Sequence, residues 1–215
     1  MKRVFLLLAV IPSSLLAGKS DPGAPLIAAD EAYAKDVQTR GEWPAALRLA
    51  LPESETFTPY RVKVIKVNRG NIVPPPRRFK PEQAWISCDD TVGVTFGRWE
   101  FAPYNLRGWY ESIWVRMRDG SFKILLRRGG TEPRMLHSKP GRKGMRAACG
   151  GKPPPLPILA PDVGTDFKMG ASSDQTVVWS SAVSPEGGVR IVISLWNGKA
   201  FMPVLEDVAP APIAR

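Results

Sequence analysis

Apolar and polar positions follow two different periods along this chain. From Leu26 to Arg40, the apolar residues Leu26, Ala29, Tyr33 and Val37 recur at helical spacing, with Asp30, Lys35, Asp36 and Gln38 elsewhere. Pro25 suits the first turn of that helix and Gly41 its end. Pro44 opens a short second helix that runs through Ala50 and stops at Pro52. Arg61 to Val67 fits either a strand or a short helix. After Pro74-Pro75-Pro76 the period changes to that of strands. Glu82–Cys88 and Thr91–Phe101 flank a turn at Asp89-Asp90, and Arg107–Arg118 joins Ser121–Arg128 through the hairpin signal Asp119-Gly120. Two helices followed by such a meander predict an α+β fold, with a cone-like, bent antiparallel sheet wrapped around the N-terminal helices.

Thr131 to Lys152 is rich in Gly, Pro, Arg and Lys, and Lys152 to Pro161 reads as a stiff connector. Beyond it, Gln175–Val183, Val189–Trp196 and Ala200–Val204 predict three strands of a small C-terminal antiparallel β-appendix. Turns at Pro185-Glu186-Gly187-Gly188 and Asn197-Gly198 separate them. Ser172-Ser173-Asp174-Gln175-Thr176 with Trp179 resembles an Asp-box hairpin without its Gly and reads as a turn. No internal repeat stands out. The expected organisation is a leader at 1–17, the α+β domain at 18–130, a basic connector at 131–162, the appendix at 163–208 and a disordered tail at 209–215.

The leader follows from Lys2 and Arg3 ahead of the apolar run Val4–Ile11, with Leu15-Leu16-Ala17 as a cleavage site. The run is too short to span a bilayer, and no second long apolar run follows. The expectation is an exported protein, in the bacterial periplasm or secreted, with no membrane span after cleavage. The formal charge of +10 falls to 10 − 2 = +8 without Lys2 and Arg3. That charge favours acidic partners such as an anionic envelope component, or keeps the surface soluble; export argues against nucleic acid. Cys88 and Cys149 are the two cysteines of the sequence, and in an oxidising compartment they read as a disulfide, against two free buried thiols.

Ala29-Asp30-Glu31-Ala32-Tyr33-Ala34-Lys35-Asp36 with Gly41-Glu42-Trp43-Pro44-Ala45-Ala46 looks like a first helix and the turn after it. Trp85-Ile86-Ser87-Cys88-Asp89-Asp90, Val92–Trp99, Gly108-Trp109-Tyr110 through Trp114, and Asp119-Gly120-Ser121-Phe122-Lys123 follow in order. Together they resemble exported members of the nuclear transport factor 2-like superfamily, the fold of ketosteroid isomerases and polyketide cyclases. The resemblance implies a cone with a pocket at its mouth, and it covers enzymes as well as non-catalytic binding domains. One departure is visible: where the group often carries Trp and Asp before Gly, this chain has Ile124-Leu125-Leu126-Arg127-Arg128-Gly129, a cation in place of the acid.

Within that fold Glu111 is the candidate general base, since a strand would align it with Trp109, Ile113, Val115 and Met117 among apolar neighbours. Strand glutamates also pair with arginine, so the reading stays open. Trp43, Trp85, Trp99, Tyr110 and Trp114 are candidate pocket residues for a small apolar ligand, or core packing. His137 lies in the basic segment without a nearby carboxylate. Arg134, Lys139, Arg142, Lys143, Arg146 and Lys152 form a basic run; Arg142, Lys143 and Arg146 are its candidate anion contacts. No GxSxG, HExxH, Walker, GxGxxG or EF-hand pattern occurs, so no metal or cofactor is implied. Two main readings follow: a non-catalytic small-molecule-binding or envelope-associated domain, or an isomerase- or dehydratase-like acid/base enzyme. A third is a surface module for envelope polyanions. A homodimer through the sheet is compatible with each.

Overall fold

The computed structural model describes residues 21–57, 60–67, 77–131, 144–156 and 161–212. The expected leader, His137, Arg134, Lys139, Arg142 and Lys143 lie outside the described residues. Helix α1 spans Ala24–Arg40 with Pro25 in its first turn, and it ends at Gly41, whose φ of 89° favours glycine and whose N–H bonds the Val37 carbonyl. Helix α2 (Glu42–Leu49) stops one residue before strand β1 (Ala50–Phe57) begins, so Pro52 lies inside a strand rather than capping a helix. Ser54 explains how that strand tolerates its irregular start. Its hydroxyl donates to the Ile124 carbonyl and accepts the Leu51 N–H, replacing ladder bonds where the β1 register shifts. Arg61–Val67 is both things the sequence allowed: strand β2 at Arg61–Lys63, then a single 3-10 turn at Val64–Lys66.

Strands β3 (Arg78–Ile86), β4 (Val92–Phe101), β5 (Leu106–Arg116) and β6 (Phe122–Thr131) form the predicted antiparallel meander. The complete sheet, however, is mixed and seven-stranded, in the order β2-β1-β6-β5-β4-β3-β7, where β7 is Gly144–Arg146. β1 runs parallel to β6, and β7 parallel to β3. This corrects the expectation of a wholly antiparallel sheet; parallel neighbours share no hairpin turn, so the sequence carries no local mark of them. A separate four-stranded antiparallel sheet follows, ordered β11-β10-β9-β8: β8 (Asp166–Ala171), β9 (Val177–Val183), β10 (Val189–Trp196) and β11 (Phe201–Ala209). β11 extends to Ala209, the first residue of the expected tail.

The meander is covered on both faces. One face packs Ala84, Trp114, Phe122 and Ile124 against Leu26, Tyr33, Val37 and Ala45 of the helices. The other packs Trp85, Val94, Trp109, Ile113 and Leu126 against Val177, Ile191, Ile193 and Leu205 of the second sheet. The result is three layers, helix on sheet on sheet, and it explains why β4 and β5 are buried along nearly their whole length.

Two near-identical turns join the sheets at one end. In each, an aspartate accepts hydrogen bonds from the serine two residues before it and from the backbone and hydroxyl of the threonine two residues after it. These are Ser87, Asp89 and Thr91 between β3 and β4, and Ser172, Asp174 and Thr176 between β8 and β9. Each middle residue, Asp90 or Gln175, adopts a left-handed φ of 61° or 60°. The turns face one another: Cys88 N–H bonds the Thr176 hydroxyl, and Ser173 N–H bonds that of Thr91. Beside them Cys88 and Cys149 form a disulfide with a Cα–Cα distance of 5.2 Å. The segment after β7 continues the stitch, since Ala147 N–H bonds Ile86 of the first sheet and Ala148 N–H bonds Trp196 of the second.

Candidate functional site

The helix-facing side of the meander holds a buried polar nest. Asp30 and Tyr33, one turn apart on α1, point onto the sheet. Tyr110 and Ser112 alternate on β5, Arg127 lies opposite Ser112 on β6, and Phe79 comes from β3. The Arg127 guanidinium lies 4.4, 4.6 and 4.2 Å from the ring centroids of Tyr33, Phe79 and Tyr110, a cage of three aromatic rings. It pairs with Asp30 at 3.6 Å and donates to the Ser112 hydroxyl at 2.6 Å. Tyr110 donates its hydroxyl to Asp30 at 3.0 Å. Gly97, opposite Tyr110, makes room for that ring: a Cβ there would lie 2.7 Å from the tyrosine hydroxyl.

Burial dominates at the acidic groups of the nest, whereas at Arg127 the neighbouring Tyr33, Asp30 and Tyr110 outweigh it and raise the pKa. Burial raises the Asp30 pKa, against the lowering pull of Arg127 and of the hydrogen bonds from Thr95 and Tyr110. Burial also pushes the Tyr33 phenol up to about 12 and raises that of Tyr110, where the neighbouring Asp30 charge adds to the effect. Three buried polar atoms here have no hydrogen-bond partner: Asp30 Oδ1, Tyr33 Oη and Arg127 Nη2. The nest is therefore neutral as a pair, yet one acceptor and two donors in it make no hydrogen bond. Its outer wall is Phe79, which also floors a shallow depression of about 280 Å³ lined by Ala34, Lys35, Gln38 and Arg78. The Gln38 side chain donates to the Arg77 carbonyl at 2.7 Å and so holds the start of β3 against α1.

Of the aromatic residues picked from the sequence, Trp99, Tyr110 and Trp114 face the helix layer. Trp99 carries the Arg77 guanidinium at 4.7 Å and donates to the Trp109 carbonyl, while Trp114 donates to Thr95. Trp43 is half-buried on α2. Trp85 points the other way, into the core between the sheets, so the five do not line one pocket.

Glu111 also faces the second sheet and not the helices. It is fully buried, with Arg128 at 3.8 Å; Arg128 pairs in turn with Asp207 of β11. Burial pushes the Glu111 pKa up to about 8, with Arg128 and Arg127 pulling against it. Glu111, the candidate general base, thus lies on the sheet face away from the helices, with an arginine beside it. Arg146, the described member of the three candidate anion contacts, is committed internally: it pairs with Asp90 at 2.5 Å and donates to the carbonyls of Ser87 and Cys88.

Sequence reasoning did not single out Asp30, Tyr33 or Phe79 as site residues. The helical pattern set Asp30 off the apolar stripe, whereas the structure buries it with Leu26, Tyr33 and Val37; a buried aspartate calls for a partner. The partner is Arg127, within the stretch Ile124–Gly129 where the departure lies. No family model matches the chain, and no curated protein matches it.

Proposed function

We propose that this protein is an exported, non-catalytic binding domain of the nuclear transport factor 2-like kind. In that reading, α1 and α2 fill a cone-like sheet and the ligand site is the nest of Asp30, Tyr33, Tyr110 and Arg127. One observation carries the proposal: Tyr33 Oη and Arg127 Nη2 are buried without hydrogen-bond partners, and Asp30 Oδ1 meets the Arg127 guanidinium at 3.6 Å, beyond hydrogen-bond distance. Such groups are costly to bury unless something satisfies them. The complementary ligand is small, accepts hydrogen bonds from Tyr33 and Arg127, and donates one to Asp30. The aromatic walls favour a flat or partly apolar body over a strongly hydrated one. A binding role is preferred to acid/base chemistry because Asp30 and Glu111, the fully buried carboxylates nearest the expected pocket, each sit beside an arginine.

The test is a ligand screen on the purified full chain, read by tryptophan fluorescence and thermal shift, against small polar metabolites, aromatic acids and lipids. Binding that wild type shows and Tyr33→Phe weakens supports the site. A flat response across the panel, or hits indifferent to Tyr33→Phe, would overturn it.

A further inference from the structure

A cleft of about 130 Å³ lies between the two sheets, on the face of the first sheet away from Asp30 and Arg127. Its floor is apolar, made by Leu125, Leu126 and Trp179. The β5–β6 bulge produces that floor, because it brings two consecutive leucines to the core between the sheets where strict alternation would bring one. Trp179 meets them from β9, whose alternate residues Val177, Trp179, Ser181 and Val183 are all buried.

The rim carries charges of both signs. Glu55, directly opposite Lys63 on β2, is 6% exposed and receives three cations: Arg61 at 3.2 Å, Lys63 at 3.1 Å, and Lys168 from the second sheet. Burial alone would raise the Glu55 pKa, but the bonds from Lys168 and Lys63 and the Arg61 charge outweigh it, and the net shift is downward. Arg61 is taken up by the fold: it also bonds Asp166 at 2.8 Å and the Ser181 hydroxyl at 2.9 Å, and its side chain is 4% exposed. The two lysines are not. Their side chains are 35% and 42% exposed, and both ammoniums share Glu55 Oε1. Lys63 also donates to the Glu53 carbonyl at 2.9 Å, so of three N–H donors each, one on Lys63 and two on Lys168 stay available. Glu53 lines the same cleft, and among the described residues its carboxylate makes no ion pair. Arg61, Lys63 and Lys168 thus stand against Glu55, Asp166 and Glu53: the cleft is balanced in charge, with an acid and ammonium donors on its rim that are not joined to each other.

We propose that this cleft binds a free α-amino acid with a small apolar side chain. Its carboxylate accepts hydrogen bonds from Lys63 and Lys168, its ammonium pairs with Glu53, and its side chain covers Leu125, Leu126 and Trp179. An apolar cavity of about 150 Å³ takes benzene, so about 130 Å³ suits a side chain no larger than that of leucine. A plain carboxylate would meet Glu53 without a compensating cation, and a plain amine would meet two ammoniums; the cleft disfavours both. The cleft and the nest of Asp30 and Arg127 lie on opposite faces of the first sheet, and the proposal stands without the nest.

The test is isothermal titration calorimetry of the full chain with L-alanine, L-valine and L-leucine. Isocaproate and isoamylamine, which are leucine without its ammonium or its carboxylate, serve as controls. Affinity is expected to rise from alanine to leucine as more apolar surface reaches the floor. Each truncated analogue is expected to bind roughly tenfold more weakly than leucine. Lys168→Met and Glu53→Gln should each weaken leucine by a similar factor, while Tyr33→Phe in the nest leaves it unchanged. Thermal midpoints check that the variants fold, and Glu53→Gln, isosteric and at an exposed position, decides alone should Lys168→Met fail to fold. Absence of binding by all three amino acids at millimolar concentration would overturn the proposal. So would leucine binding that Glu53→Gln leaves unchanged or Tyr33→Phe weakens, or isocaproate binding as tightly as leucine, which would identify a plain carboxylate site.

Discussion

Asp89 and Asp174 each donate a backbone N–H to the other's carboxylate, both at 2.9 Å, so the two turns that join the sheets are locked reciprocally. Each carboxylate also collects the serine and threonine bonds of its own turn. Loss of either aspartate leaves the partner's N–H and its own turn unsatisfied at once. Asp89→Ala and Asp174→Ala are each expected to destabilise by about 2–3 kcal/mol. The double variant is expected to cost clearly less than the sum, a coupling that a double-mutant cycle in urea measures directly.

The same clasp has a pH signature. Burial alone would raise the Asp174 pKa, but the bonds from Ser172 and Thr176 outweigh it and the net shift is downward. A depressed carboxylate contributes stability above its ordinary value of 3.8, and that contribution disappears as pH falls through the folded value. Acid unfolding below about pH 4 should therefore be less steep in Asp174→Asn than in wild type. Urea titrations at pH 3 to 6 provide the comparison.

Glu111 works in the opposite direction. Its pKa is raised from 4.5 to about 8, so stability associated with its neutral form is complete below pH 4.5 and is lost progressively as pH rises to 8. Glu111→Gln removes the titration. The prediction is a flatter stability profile between pH 5 and 8 and a variant at least as stable as wild type at pH 8, measured by urea unfolding. An unchanged slope would show that Glu111 does not titrate in this range.

Arg127 balances a carboxylate that water does not reach. Arg127→Met is expected to cost about 3–5 kcal/mol at neutral pH, because it leaves Asp30 buried without its cation. The loss should shrink as pH falls and Asp30 takes up a proton. Adding Asp30→Asn should recover much of the stability, with thermal or urea midpoints as the readout.

The disulfide closes a separation of 61 residues between the first turn of the clasp and the segment that stitches the sheets. Cys88→Ser with Cys149→Ser, or reduction by a thiol, is expected to cost on the order of 4 kcal/mol. Hydrogen exchange should speed up first at Ser87–Thr91 and Ser172–Thr176, ahead of the sheet centres.

The elements with strong local periods were legible in the sequence. Helix α1, the meander and the Asp119-Gly120 turn follow their patterns closely. β1 was not legible, because Pro52, Glu53 and Glu55 lack alternation and its ladder depends on Ile124 and Leu126 far along the chain. The twin turns are written openly, as Ser-x-Asp-x-Thr-Val at 87–92 and again at 172–177, but six residues are too few to read as a repeat until they are seen docked. The site was hidden by a single irregularity. The β5–β6 register shifts so that Trp114 pairs with Ile124 and Ile113 with Leu126, leaving Leu125 as an extra residue. Strict alternation from Phe122 and Ile124 would aim Arg128 at the helices. The bulge instead sends Arg127 to the helices and Arg128 to the second sheet.

The parallel docking of β1 on β6 has a consequence for how the chain must assemble. Ser54 reaches its carbonyl partner across 70 residues, and β2 joins the sheet through β1. The helices and first two strands therefore form no self-sufficient unit; they wait for the meander to be complete before their own edge is covered. Such delayed, non-local pairing slows folding and leaves β1 open to other strands in the meantime. A chain ending anywhere before Thr131 is expected to aggregate rather than fold in part.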